Sequence, residues 1–183
     1  YIVPEAFKIA TEGRPGPVLI DFPKNIQSEI IELKEFPSIE EKEEVIDIPN
    51  FSALSYIGAQ INKSKRPIIY AGGGIISSNS SKYLYTLAKK NNIPVALTLM
   101  GLGAFPADDE LYLGMLGMHG SPFTNLLINE ADLILAFGVR FDDRATGDIK
   151  KFCPKASIIH VDIDESEINK VKNSSISMNC SID

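Results

Sequence analysis

Short apolar runs recur along the chain, each closed by glycine, proline or charged residues. Pro67–Tyr70, Val95–Leu99, Leu133–Phe137 and Ser157–Val161 have this form and read as short buried strands. The stretches between them are of helix length. Ser52 is a fair N-cap for a helix to about Lys63, with Leu54, Ile57 and Ile61 on one face. Ser80 or Ser81 opens a second, through Leu84, Leu87 and Ala88, which Asn91-Asn92 ends. Thr124–Asn129 is an apolar helix candidate, and Asp164 is placed to cap a short helix over Glu165–Val171. Strands alternating with helices make βαβ units, so an α/β fold with a parallel sheet is expected.

The first quarter of the chain reads differently. Tyr1–Thr11 has Ile2, Ala6, Ile9 and Ala10 at helical spacing and closes at Gly13. A rigid Gly13-Arg14-Pro15-Gly16-Pro17 turn leads into Val18–Asp21, which reads as a short buried strand ended by Pro23. From Ser28 to Pro49 the sequence turns polar and acidic, with Glu40, Glu41, Glu43 and Glu44 clustered. So little apolar surface suits an exposed interdomain linker, and the charge run a solvated face. The expected division is residues 1–27 as the tail of a preceding domain, 28–49 as linker and 50–183 as the main domain. The chain starts without Met, within a helical pattern, and ends on Ser181-Ile182-Asp183 without a terminating signal. It reads as a fragment.

Composition narrows the function. With 183 residues, 44% hydrophobic and 23% charged, one good core is expected. A net charge of −6 argues against nucleic acid as a partner. No apolar run reaches membrane-spanning length and no signal peptide opens the chain. Cys153 and Cys180 lie far apart and read as free thiols in a reducing cytoplasm. His119 and His160 are the only histidines, too few to suggest zinc, and no metal ligands are assigned.

Candidate chemistry gathers where strands end. Gly114 to Arg144, GMLGMHGSPFTNLLINEADLILAFGVRFDDR, carries a Gly-Met loop with His119, a helix and a strand. That strand delivers Gly138, Arg140, Asp142, Asp143 and Arg144 onto the next loop. In open α/β sheets, ligands sit in the crevice at the carboxyl ends of the strands. Gly72-Gly73-Gly74 stands between a strand and a helix, a place for phosphate, but a tight turn without ligand selects glycine equally well. The full GxGxxG fingerprint is missing, as is an acidic residue about 20 positions further on. Asp162 could accept from ribose hydroxyls or an adenine amino group, whereas Asp164 suits a helix cap better. Arg14 and Arg140 are candidates for phosphate or flavin, Arg140 also for a structural pair with Asp142 or Asp143, and Arg66 reads as an ordinary surface residue. Asp142 and Asp143 are adjacent and point apart on an extended loop, which does not suit an acid/base pair. No nucleophile–base arrangement is evident, and no catalytic residue is assigned.

Taken together, GRPGPVLIDFPKNIQ, IIYAGGG, TLMGLGAFP, LGMLGMHG, ADLILAFGVRFDDRATG and IIHVDIDESEI resemble the large subunit of acetohydroxyacid synthase, also called acetolactate synthase. This is a thiamine-diphosphate-dependent family. The resemblance covers nearly the whole chain, and GVRFDDR with GMHG is specific. It implies an FAD-binding central domain, an open six-stranded parallel sheet with helices on both faces (Rossmann-like), after the last strand of a pyrimidine-binding domain. Matched motif by motif, Arg14 would contact FAD, with Gly72, Gly73 and Gly74 along its extended chain. Thr98, Leu99 and Met100 match further FAD-contacting positions. Met118, His119 and Gly120 would lie near the flavin ring beside Gly138, Arg140 and Asp142, and Asp162 and Ile163 would hold the adenosine end. Met118, Asp143 and Arg144 match positions lining a substrate channel where inhibitors bind.

For the whole protein the resemblance implies condensation of two pyruvates, or of pyruvate and 2-ketobutyrate, to 2-acetolactate or 2-aceto-2-hydroxybutyrate. This is a step of isoleucine and valine synthesis. Thiamine diphosphate and Mg2+ would be held by N- and C-terminal domains whose motifs are absent here, so the fragment alone is expected to be inactive. A homodimer or tetramer of large subunits with a regulatory small subunit is implied, in the bacterial cytoplasm or a plant or algal plastid. The alternatives are glyoxylate carboligase or another FAD-dependent relative, a purely structural nucleotide-fold module, and an NAD-dependent dehydrogenase, the last weakened by the missing fingerprint.

Overall fold

The structure is a computed structural model and describes residues 2–32 and 51–182. The chain divides into two compact units, Tyr1–Ile46 and Asp47–Asp183. Most of the acidic stretch expected as a linker lies outside the described residues.

The first unit contains α1 (Ile2–Thr11) and α2 (Lys24–Gln27). The helix expected at the start of the chain forms, and the four-residue α2 is additional. The buried strand expected at Val18–Asp21 does not form: these residues are in no strand, and Leu19 is 92% exposed. An extended segment becomes a strand only when a neighbour takes up its N–H and C=O groups, and none among the described residues does.

The second unit runs α3 (Phe51–Lys63), β1 (Pro67–Ala71), α4 (Gly73–Ser77), α5 (Ser81–Asn91), β2 (Val95–Leu97), β3 (Tyr112–Met115), α6 (Pro122–Glu130), β4 (Leu133–Phe137), α7 (Asp143–Thr146), β5 (Ser157–Asp162) and β6 (Ile176–Asn179). All six strands are parallel, in the order β3-β2-β1-β4-β5-β6. The α/β class and the six-stranded sheet are as expected.

Alternate residues of each strand serve opposite faces. Ile69, Ala71, Val95, Leu97, Leu133, Leu135 and Ile159 form one core with Ile75 of α4, Leu84 and Ala88 of α5, and the inward face of α3 at Ile57 and Ile61. Ile68, Tyr70, Ala96, Ile134, Ala136 and Ile158 form the other with Ile128 of α6, Phe141, Phe152 and Cys153. Both faces are covered, so the strands read as unbroken apolar runs rather than alternating ones.

Several boundaries differ from expectation for identifiable reasons. Ser52 lies within helix α3 rather than ahead of it, and Leu54 is exposed. Strand β2 stops at Leu97, because the Thr98 hydroxyl accepts from Gly101 N–H at 3.0 Å and closes a 3-10 turn over Leu99–Gly101. Ser80 precedes α5, and Asn92 ends it in a left-handed conformation, as read. Asp164 does cap a helix, accepting from Ser166 N–H at 3.0 Å, but only a 3-10 turn over Glu165–Glu167 forms. Asn169 adopts φ +58 and accepts from Ser174 N–H, which turns the chain away from helix.

Candidate cofactor crevice at the switch point of the sheet

The strand order reverses between β1 and β4. From β1 the chain moves outward through β2 and β3; it then returns to β4 on the other side and continues to β5 and β6. The segments after β1 and β4 therefore leave the sheet towards opposite faces. Ile75 joins one core, whereas Val139 and Phe141 join the other. In open sheets of this topology, the carboxyl ends where the two segments part form the crevice in which ligands usually sit.

The candidate residues of the second unit lie on the loops at this edge. Gly72–Gly74 follow β1, Thr98–Met100 follow β2, Met118–Gly120 follow β3, Gly138–Arg144 follow β4, and Asp162 with Ile163 ends β5. Arg14 belongs to the first unit.

The triple glycine has a structural explanation of its own. A Cβ on Gly72 would stand 2.1 Å from the carbonyl oxygen of Gly138, and one on Gly74 would stand 2.7 Å from Gly138 Cα. Gly72 N–H donates to Phe137 O at 3.0 Å, and Gly138 N–H to Val161 O at 3.0 Å, so the loops continue the ladder before diverging. Backbone packing across the switch point accounts for Gly72, Gly74 and Gly138, the last at φ +58. Gly73 and Gly74 form the first turn of α4, a short helix that the sequence reading passed over.

Four apolar side chains stay open to solvent on these loops: Leu99, Met100 at 70% exposure, Met118 at 59% and Ile163 at 43%. His119, Arg140, Asp143 and Arg144 are exposed as well. Among the described residues no ion pair joins Arg140 to Asp142 or Asp143. Asp142 instead caps α7, its carboxylate accepting from Ala145 N–H at 3.2 Å. Asp162 is buried, and its Oδ1 accepts from Asp164 N–H at 2.9 Å.

The sequence has relatives among known proteins. The family described as thiamine pyrophosphate enzyme, central domain, matches residues 54–183. The chain belongs to this central-domain family. It is 45% identical over 184 residues to the acetolactate synthase isozyme 1 large subunit of Escherichia coli K12, an alignment covering 100% of this chain and 32% of that protein. It is 46% identical to the chloroplastic acetolactate synthase of Arabidopsis thaliana, covering 97% of this chain and 27% of that one. A probable acetolactate synthase large subunit of Methanocaldococcus jannaschii is 47% identical, at 90% and 29% coverage. The chain thus spans about a third or less of the length of these relatives.

Beneath the crevice of this central domain lies a buried aromatic cluster absent from the sequence reading. The Phe141 ring packs edge-on against Tyr70 at 5.7 Å, Phe152 at 6.2 Å and His160 at 5.2 Å between centroids. His160 Nε2 bonds the Val139 carbonyl at 2.9 Å, which identifies Nε2 as the protonated nitrogen. Burial holds the imidazole pKa below its ordinary value, against the opposing pull of the Val139 bond, Asp162 and Glu167. Burial also drives the Tyr70 phenol up, helped by Asp142 and Cys153, and pushes the Cys153 thiol up to about 12. Phe141 itself adopts φ +52. Buried on three aromatic neighbours, it pins the loop that carries Arg140 outward.

A cavity of about 410 Å3 adjoins the crevice between α6 and α7. Met118, Asp143 and Arg144, the three residues grouped by resemblance as channel-lining, all border it, with Asn125, Asn129 and Phe152. The two asparagines were missed; their four-residue spacing on one helix face was the available signal.

Proposed function

We propose that the second unit is the FAD-binding central domain of an acetolactate synthase large subunit. Residues 1–27 would be the tail of its pyrimidine-binding domain and residues 28–49 a linker. The observation that carries this reading is whole-chain identity near 45% to acetolactate synthases, with GVRFDDR standing at the switch point. The crevice chemistry suits such a ligand. Leu99, Met100, Met118 and Ile163 offer apolar surface for flat rings, and the Arg140 guanidinium offers a planar fork for phosphate or a ring carbonyl. The Asp162 carboxylate stands at the tip of β5, where ribose is commonly bound.

Gly72–Gly74, Thr98, His119, Gly120, Gly138 and Asp142 would shape the cradle. FAD, when bound, would contribute a flavin with no net redox change in the overall reaction, a largely structural part. The full-length protein would condense 2-ketoacids on thiamine diphosphate with Mg2+, held by its other domains. It would work as a dimer or tetramer with a regulatory small subunit, and this chain alone would be inactive. Met118, Asp143 and Arg144 would border the path of substrate or inhibitor.

Titration of the chain with FAD, followed by quenching of flavin fluorescence and with NAD as control, tests the reading. Saturable binding of FAD alone is expected, weakened about tenfold or more in Arg140→Ala, the loss of about 1.4 kcal/mol. Binding of NAD in place of FAD would overturn it. Failure to bind either nucleotide calls for the same titration on the full-length protein, where absence of FAD binding would leave a purely structural module.

A further inference from the structure

The two loops that carry Met118 and Arg144 are joined by a clasp built on α6. Asn125 grips Gly117 from both sides: its Oδ1 accepts from Gly117 N–H at 2.8 Å, and its Nδ2 donates to Gly117 O at 3.0 Å. The next residue, Met118, donates its N–H to Arg144 O at 2.8 Å. Gly117 stands at φ +101, and a Cβ there would lie 2.5 Å from Arg144 O and 2.8 Å from Ala145 Cα. Only glycine lets the loop after β3 approach the start of α7 this closely.

The loop leaves an edge strand, and its own backbone closes it, Gly120 N–H donating to Gly117 O at 3.0 Å and Ser121 N–H to Met115 O at 3.2 Å. Among the described residues Asn125 is the side chain that bonds the Gly117 N–H, while the Met118 and His119 side chains face solvent. A side-chain amide that satisfies both polar groups of one residue fixes its peptide planes, as a strand neighbour would. Asn129, one turn further on α6, does related work on a different loop, accepting from Cys153 N–H at 2.8 Å. The two amides lie on one face of the helix and line the same cavity.

We propose that Asn125 is a positioning residue: by holding Gly117 it couples Met118 on one loop to Arg144 on the other and presets the face they offer to the ligand. Its consequence for binding rests on the reading of this crevice as an FAD site. The coupling itself does not, because the clasp is made within the protein.

Residue-resolved amide hydrogen exchange of the chain, with FAD titration alongside, tests both parts. Asn125→Ala should speed exchange at Gly117 and Met118 tenfold or more, leaving the Cys153 amide unchanged. Asn129→Ala should do the reverse. Asn125→Asp, which keeps the acceptor for Gly117 N–H but loses the donor to Gly117 O, should fall between at Met118 and keeps the test open if the alanine variant does not fold. Unchanged exchange at Met118 in both Asn125 variants overturns the coupling. With faster exchange, weakening of FAD by severalfold in Asn125→Asp supports the positioning role. Unaltered FAD affinity, in a chain whose Arg140→Ala variant loses FAD, overturns that role. If the parent chain binds no FAD, the affinity comparison is made on the full-length protein, whose failure to bind FAD would overturn the FAD reading, and exchange alone decides the coupling.

Discussion

At the scale of single residues, glycines that look alike in the sequence have opposite roles. Gly72 lies against the Gly138 carbonyl, and a methyl group there would sit 2.1 Å from that oxygen, so one backbone would have to move. Gly72→Ala should lower unfolding free energy by about 3 kcal/mol or more, the upper end for overpacking, as read by urea denaturation. Gly58, inside α3, has no heavy atom within 4 Å of its would-be Cβ. Gly58→Ala should raise stability by roughly 0.5–1 kcal/mol through helix propensity and a less flexible unfolded chain. A destabilised Gly58→Ala or a neutral Gly72→Ala would contradict this packing. Asp164 shows what is legible at this scale: its cap was readable from the sequence because the partner, Ser166, is two residues away.

At the scale of elements, the junction of α3, β1 and β4 depends on one carboxylate. Asp132, just before β4, accepts from the Ser64 hydroxyl, from Lys65 N–H at 2.8 Å and from Arg66 N–H at 3.0 Å. Burial works to raise its pKa, but these donors outweigh it and the net shift is downward. Asp132→Ala should cost about 1–2 kcal/mol, since three donors lose a charged acceptor in a partly solvated site. A depressed carboxylate stabilises the fold above its ordinary pKa, and this contribution fades as pH falls below about 3.8. Comparing acid unfolding of parent and variant by circular dichroism checks both size and window: the gap between them should close below that pH.

Element boundaries followed the sequence where the cause was local. Helix α5 ends at a left-handed Asn92, and β4 occupies the five residues of its apolar run. Strands β3 and β6 escaped notice because the signal was weak. Strand β3 contains Gly114 at φ +83 and shifts register against β2, while β6 alternates half-buried and exposed residues at the sheet's edge.

At the scale of the whole molecule, stability is tied to pH through His160. It is fully buried on β5, facing Phe141, the Val139 carbonyl, Asp162 and Glu167. Because burial lowers its folded-state pKa, the unfolded chain binds this proton more readily. Stability should be level above the ordinary histidine value of 6.5 and decline as pH drops below it. Thermal melts between pH 8 and 5 should show this fall, and His160→Gln should flatten it. An equal slope in parent and variant would assign the effect to other groups.

The sequence by itself determined the α/β class, four of the six strands, the positions of most helices and the location of the candidate chemistry at strand ends. These follow from apolar runs, helical periodicity and capping residues, whose physical causes act over a few neighbours. Only the tertiary structure decided the strand order, and with it the switch point that brings Gly72 against Gly138 and the loops after β1 and β4 into one crevice. It also decided that Val18–Asp21 is no strand among the described residues, that His160 is buried on Phe141, and that Asn125 holds Gly117. Each of those outcomes needs a partner distant along the chain or on another element, and residue spacing carries no information about which partner folding supplies.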